Sequence, residues 1–594
     1  MTRRLRGSTS WIGAVLAAIV LTVTGCASLP DTSTPEAIGT IAREPVSPTV
    51  PKPTPGREPD LLLRDFFKAS TDPSDHHAAA RQFLTPDASK AWDDAASATI
   101  VDKVDVLPDS RTSDQATYVV RANRVGQLAP GGDYQAEEGN FETKISLRRV
   151  NGEWRVDQVP PGVIMDRPQF LNTYQRKSLY FLDPTGTTTV ADPRWISASQ
   201  DQLAAQLIDM LMRGPKDRIK MAVRTQFSPG ITLAGPITKA DGRTSSVGVG
   251  LGGIRIDFNG VDGMDKHNRE LLAAQVIWTL ASAEISGPYV LEADGKPLNE
   301  NLANGWTTAD VNTLNPIANA GTNVPLHAVR DGGLVKVDAG AVTPVPGYFG
   351  AVHNLQSAAL SRDGSFIAAV ADTGRKPPDA ARALMMGSAD GSAFPVADGN
   401  TITRPTWAAD DGSAWAVIDG TNVISAVRDR QTGQVSLTTV NADAINALGG
   451  PITELRLSRD GVRVALIVGG KVYVAIVVTG SDGKVSLVNP RPVAIGLGSP
   501  AQSLDWITGE TLVVARSASD IPVVMITVDG SRMDSLPSRN LTPPVTSVEA
   551  SSTTEFVADS RAVFQLNNND PAADRLWREV PGLAGVQAIP VLPG

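Results

Sequence analysis

Leu360-Ser361-Arg362-Asp363-Gly364 returns further along the chain as Leu457-Ser458-Arg459-Asp460-Gly461. Between the two copies stands Asp410-Asp411-Gly412, and after them Ile507-Thr508-Gly509, so Gly364, Gly412, Gly461 and Gly509 follow one another at intervals of 48, 49 and 48 residues. Each glycine precedes a short apolar run, at 366–370, 414–418, 462–468 and 511–515. Asp-Gly supplies the positive backbone torsions of a tight hairpin, so the motif marks one turn in each repeated unit. A 48-residue period built from β-type runs predicts propeller blades. A worn fifth copy fits 545–559. The runs at 326–329 and 334–337, joined by the tail 586–591, can combine into one blade that ties both ends of the domain together. Six blades are therefore expected over 320–594, with five as the alternative.

Upstream, residues 177–315 read as a separate α+β unit. It opens with Leu179-Tyr180-Phe181-Leu182 as a strand. A helix follows from Asp201, with Leu203, Leu207, Met210 and Leu211 on one face, and stops at Gly214-Pro215. Strands are expected at 246–249 and 253–258, then a second helix near 269–283 with Leu271, Leu272, Val276 and Leu280 as its stripe. This order, with Ile254-Arg255-Ile256-Asp257-Phe258 and Ile277-Trp278-Thr279-Leu280, resembles the GerMN domain of spore-germination and cell-envelope proteins. That resemblance implies no enzymatic chemistry. Before it, residues 60–170 begin with Leu61, Leu62, Phe66 and Phe67 at helical spacing, continue through a helical segment at 78–83, and open another short helix at Thr85-Pro86. Strands are expected at 116–122, 140–150 and 153–159, the last two joined at Asn151-Gly152. Helices followed by a curved antiparallel sheet, closing on Asn151-Gly152-Glu153-Trp154-Arg155-Val156, resemble the cone-shaped nuclear transport factor 2 domain.

The N-terminus carries Arg3, Arg4 and Arg6, then an apolar stretch at 11–23 broken only by Gly13 and Thr22. That is too short to cross a bilayer, which takes about 20 residues, and residues 1–25 read as a secretory signal. Arg3-Arg4 leaves twin-arginine export open beside the favoured general secretory route. Val23-Thr24-Gly25-Cys26 resembles the bacterial lipobox. The resemblance implies an S-diacylglycerol on Cys26, cleavage before it and acylation of the new amine. Only a thiolate can form the thioether. At about 0.8 kcal/mol per buried methylene, two or three acyl chains anchor stably where one does not. Residues 26–59 then form a tether, with eight prolines from Pro30 to Pro59 that exclude helix and interior strand.

The formal net charge is −9, and loss of the signal with its three arginines leaves −12, a balance that excludes nucleic-acid binding. One cysteine in 594 residues excludes internal disulfides and thiolate metal clusters. The five histidines, His76, His77, His267, His327 and His353, fall in no metal-binding spacing, and His76-His77 reads as a solvated turn after Pro73. Neither a nucleophile elbow nor a phosphate-binding loop occurs. Ser481-Asp482-Gly483-Lys484 matches S-x-x-K, but across an Asp-Gly hairpin, where it is a turn and not a nucleophile with its base. Asp363, Asp411 and Asp460 read as turn formers in preference to calcium or acid–base groups, and Trp407, Trp415, Trp506 and Trp577 as core in preference to sugar platforms. No catalytic residue, metal or cofactor is expected.

In order, the lipobox, proline tether, cone-like domain, GerMN-like domain and propeller resemble the LpqB family of actinobacterial lipoproteins over essentially the whole chain. The resemblance implies a lipid-anchored protein at the outer face of the cytoplasmic membrane. There it would act with a two-component sensor histidine kinase of the MtrAB type in cell-wall homeostasis and division. The alternative is a protein that binds or acts on peptidoglycan through the propeller channel.

Overall fold

Pro59 stands where a helix has no use for an N–H, and the helix it starts, α1 (Pro59–Ala69), buries Leu62, Leu63, Phe66 and Phe67 while leaving Leu61 exposed. The computed structural model describes residues 50–243, 252–315, 317, 324–429, 432–572 and 574–594. The lipobox with Cys26, most of the tether and the strand expected at 246–249 lie outside the described residues. Two short helices, α2 (Ser74–Arg81) and α3 (Pro86–Ala91), follow α1. They cover a sheet of β1 (Ala98–Arg111), β2 (Gln115–Ala129), β3 (Asp133–Val150), β4 (Glu153–Gln158) and β5 (Val163–Asp166), in the order β4-β3-β2-β1-β5. Asn151, with φ of 54°, and Gly152 make the β3–β4 turn. β1 is absent from the sequence expectation. Register breaks at Ile100/Val101, Asp102/Asp105 and Pro108/Ser110 erase its alternation, and its charged residues hide what remains.

Helix α4 (Arg167–Thr173) leads into a two-stranded hairpin, β6 (Gln175–Leu182) and β7 (Thr189–Ile196). β7 was not foreseen, because Asp192-Pro193-Arg194 reads as a loop. All eight of its residues are buried. Helix α5 (Gln200–Arg213) turns its Leu203, Leu207, Met210 and Leu211 inward, as the spacing predicts. A second sheet is built from β8 (Thr232–Leu233), β9 (Thr238–Lys239), β10 (Ile254–Asn259), β11 (Tyr289–Ala293) and β12 (Lys296–Pro297). β10 and β11 run parallel, joined by α6 (Lys266–Ser282), whose N-cap Asp265 accepts a hydrogen bond from the Asn268 N–H at 2.8 Å. No helix among the described residues is long and apolar enough to cross a membrane.

The C-terminal region holds six four-stranded antiparallel sheets, each touching the next around a closed ring. Blades 1 to 5 span 355–399, 406–439, 452–492, 501–535 and 547–579, each with its first strand innermost. Blade 6 is the composite expected from the sequence: Ala588–Val591 pairs antiparallel with His327–Arg330, and Gly333–Asp338 and Ala341–Pro344 complete it. Each repeated turn joins the inner strand of a blade to its second strand. Gly364 and Gly461 both have φ of 70°, and Asp363 and Asp460 each accept from the Ser hydroxyl two residues earlier. The second copy differs. Asp410 accepts from Gly412 N at 2.9 Å, Asp411 takes the positive φ of 56°, and Gly412 does not. Gly509 has no positive φ either, so the expected glycine torsion is met at Gly364 and Gly461 alone.

Candidate functional site

The inner strands of blades 3, 4 and 5 carry polar residues at alternate positions among apolar ones, which sends those side chains to one face, the propeller axis. Glu454 and Arg456 come from blade 3, Asp505 from blade 4 and Glu549 from blade 5, while Arg404 precedes the inner strand of blade 2. All five are buried and joined. The Arg404 guanidinium donates to Glu454 at 2.5 Å, to Glu549 at 2.6 Å, and to the Val548 and Leu504 carbonyls at 2.9 and 3.0 Å. Arg456 donates to Asp505 at 3.0 Å, to Glu549 at 3.2 Å and to the Pro405 carbonyl at 3.0 Å. Two guanidinia thus serve three carboxylates within ion-pair distance. Burial pushes the Glu549 carboxyl up to about 7, Arg456 and Arg404 opposing and Asp505 adding to the rise. Burial also acts to raise Asp505, but Arg456, Arg404 and the Ala550 N–H hold it below its ordinary value. The network lines the axis on the side of blades 2 to 5 with charge that is already paired. Carboxylates paired in this way offer a substrate no open acid–base pair.

In the first domain the void bounded by Phe66, Phe67, Trp92 and Ile145 holds 10 Å³, room for one water molecule at most. His77 packs its ring 5.7 Å from that of Trp92 and is buried, with its pKa lowered chiefly by that burial. The solvated-turn reading therefore holds for His76, which is exposed, and fails for His77. Residue 77 faces inward because Asp75, His76 and His77 all adopt positive φ.

The β6–β7 hairpin is the place where the domains meet. Trp195 of β7 stacks 4.6 Å from Phe170 of α4, which lies 5.9 Å from Tyr134 of β3. On the propeller side, Asp529 accepts from the Trp195 indole at 3.1 Å and from Arg176 at 3.3 Å. Glu510, next to the turn glycine Gly509, accepts from Arg176 at 3.1 Å and from the Ser178 hydroxyl. Arg463 pairs with the turn residue Asp460 at 3.1 Å and donates to the Ala191 carbonyl of β7. Arg491 donates to Gln135 at 2.6 Å, and Arg218 pairs with Asp133 at 3.1 Å. Val190, Ile219, Ala222, Val462 and Ile476 add an apolar core shared by hairpin and propeller. Residues 51–594 accordingly pack as one body. Asp460 and Gly509, marked by the repeat as turns, thus lie at this seam.

Trp407, Trp415, Trp506 and Trp577 are all buried. The Trp407 and Trp506 indoles each donate to the inner strand of the preceding blade, at Ala359 and Arg456, which makes them ties between blades. Ser481 to Lys484 form an exposed hairpin turn, with Lys484 3.4 Å from Asp482. Asp363 and Asp411 sit in turns, and Asp411 bridges blades by accepting from the Arg362 N–H at 2.9 Å. Among the described residues no group of three His, Cys, Asp or Glu side chains is placed to hold a metal ion. The sequence reading missed Arg404, Glu549, Arg176, Trp195 and Asp529. For the first two, a signal existed: a charged residue in or just before an otherwise apolar strand that leads to a turn, clearest in Glu454-Leu455-Arg456.

Three family models match the chain. One described as the lipoprotein LpqB N-terminal domain covers residues 52–171, one described as sporulation and spore germination covers 178–299, and the lipoprotein LpqB beta-propeller domain covers 332–593. The chain is 65% identical to a lipoprotein LpqB of Rhodococcus opacus over 100% of its length and 99% of the relative's. It is 66% identical to that of Rhodococcus jostii, over 99% and 98% respectively, and 51% identical to that of Nocardia farcinica, over 100% and 99%. None of these descriptions is of an enzyme. On full-length identity, and on three models that match in the order in which the folded units stand, this chain belongs to the lipoprotein LpqB family of envelope lipoproteins.

Proposed function

We propose that this lipoprotein is anchored by acyl chains on Cys26 at the outer face of the cytoplasmic membrane. There it binds the extracellular domain of a two-component sensor histidine kinase of the MtrAB type and modulates cell-wall homeostasis and division. The observation that carries a binding role over a catalytic one is the charge network at the propeller axis, where Arg404, Glu454, Arg456, Asp505 and Glu549 all meet a charged partner. The same observation weighs against a peptidoglycan-binding or peptidoglycan-acting channel. The domain limits 1–25, 26–59, 60–170, 177–315 and 320–594 belong to this reading: signal, tether and three folded parts that bind as one surface.

The test is in-cell cross-linking with recovery of the full chain and identification of what accompanies it. Recovery of the kinase from wild-type cells, with altered kinase output on deletion, is the expected result. Recovery of wall fragments without kinase moves the weight to the alternative. Cys26→Ser is expected to shift the protein from the membrane fraction to the soluble one.

A further inference from the structure

Blades 1 and 2 part toward their outer strands, Ala393–Gly399 and Val435–Thr439, and leave a cleft of 700 Å³ between them. Buried Trp407 and Met386 line its base. Phe394, 67% exposed, stands on one wall and Val435 on the other. The guanidinium carbon of Arg428 lies 3.7 Å from the centroid of the Phe366 ring, within the cleft. Stacking of this kind holds a guanidinium in place without using its N–H groups.

The charges set this cleft apart from the other arginine-lined cleft of the propeller. No carboxylate stands among the described residues that line it, and among the described residues none comes within ion-pair distance of Arg428. Arg404, Arg456 and Arg463 all have such a partner. The arginine-lined cleft of 510 Å³ on blade 5 shows the contrast, because its Arg561 and Arg578 already pair with Asp559 and Asp570 at 3.3 Å and Glu579 also lines it. As in every blade, the outer strand on each wall has no further strand beside it, so each leaves a backbone edge open. A fixed cation, an exposed aromatic ring and strand edges together match an extended main chain that carries a carboxylate next to an apolar side chain.

We infer that this cleft is a docking site for an acidic, partly apolar peptide segment of a partner protein. Arg428 takes the carboxylate, and Phe394 and Val435 take the neighbouring apolar group. The inference rests on the reading of the chain as a partner-binding lipoprotein and gives that partner a surface.

The test uses the full chain in detergent and a short fluorescein-labelled peptide of alternating aspartate and leucine, with an asparagine–leucine twin as control. Saturable binding of the aspartate peptide is expected, weakened roughly tenfold or more by Arg428→Gln, as loss of a charge-assisted hydrogen bond implies. Phe394→Ser, at an exposed position that folding does not depend on, is expected to weaken it as well. Arg428→Lys should fall between, because it keeps the charge and loses the flat stack. Arg539 lines the other cleft, and Arg539→Gln should change nothing. The inference is overturned if the aspartate peptide does not saturate, if the twin binds equally, or if binding survives both Arg428→Gln and Phe394→Ser. Kinase recovery from cells is read separately. Kinase recovered by wild type with a negative peptide result sinks the cleft alone. A positive peptide result with no kinase recovered sinks the kinase reading alone.

Discussion

Arg456 joins its own blade to blades 4 and 5 and to the segment that leads into blade 2, donating to Asp505, Glu549 and the Pro405 carbonyl from one buried guanidinium. Replacing it with methionine keeps bulk but leaves Asp505 and Glu549 buried with one cation fewer. The expected cost is about 3–5 kcal/mol, read as a lower urea midpoint with an unchanged slope. Glu549 carries a pH signature. Its carboxyl is raised from the ordinary 4.5 to about 7, so between those values the folded state keeps a proton that the unfolded chain has released. The stability it lends is fully present below 4.5 and is lost as pH rises through about 7. Glu549→Gln should therefore flatten the fall in stability across that window, and an unchanged slope in urea melts would refute the assignment. The alternation of Glu454 and Arg456 was readable in the chain, but not which charges meet. The pairing links residues 49 to 145 positions apart, and only closure of the ring brings them together.

At the scale of elements, the repeat was legible because each inner strand needs the same turn, and a turn constrains residue type. Five copies mark a ring of six sheets for a structural reason: in blade 6 the inner strand and its neighbour are the two ends of the domain, so no turn joins them. β1 and β7 were not legible, the one through its bulges and the other through Pro193 and its charged flanks. β7 is a strand because three parts of the molecule bury it, not because its own residues favour one. Removing residues 588–594 should leave His327–Arg330 with an unpaired edge and strip Val591 from the core it fills with Val329 and Leu334. The expected outcome is loss of the propeller's cooperative melt and rapid proteolysis near residue 330, while the first domain stays resistant. An undiminished melt would show that blade 6 is dispensable.

At the largest scale, residues 51–594 pack as one body because the seams within them are tight and polar pairs cross them. Gly530 shows how tight: it has φ of 71°, and an added Cβ would stand 2.7 Å from the Ala136 Cβ of β3. Gly530→Ala should wedge the first domain from the propeller, the new methyl also pressing on Val493 of the propeller at 3.1 Å. A larger radius in small-angle scattering, or a split melting curve, is the expected outcome. Asp529→Ala should do the same by leaving Arg176 and the Trp195 indole without their shared acceptor. No periodicity announces such contacts. They join Gln135 to Arg491 and Arg176 to Asp529, pairs that share no motif and lie hundreds of positions apart, so docking was the least legible level of the structure.

The composite blade has a consequence for how the protein is made. The strand that fastens the ring, Ala588–Val591, is the last of the propeller to leave the ribosome, and its partner His327–Arg330 is the first. Through the whole synthesis of the domain the ring stays an open arc with an edge exposed at each end. A message cut short in any blade, early or late, therefore yields the same unfinished arc, and a protease that recognises free strand edges can sort complete molecules from incomplete ones without reading any particular sequence.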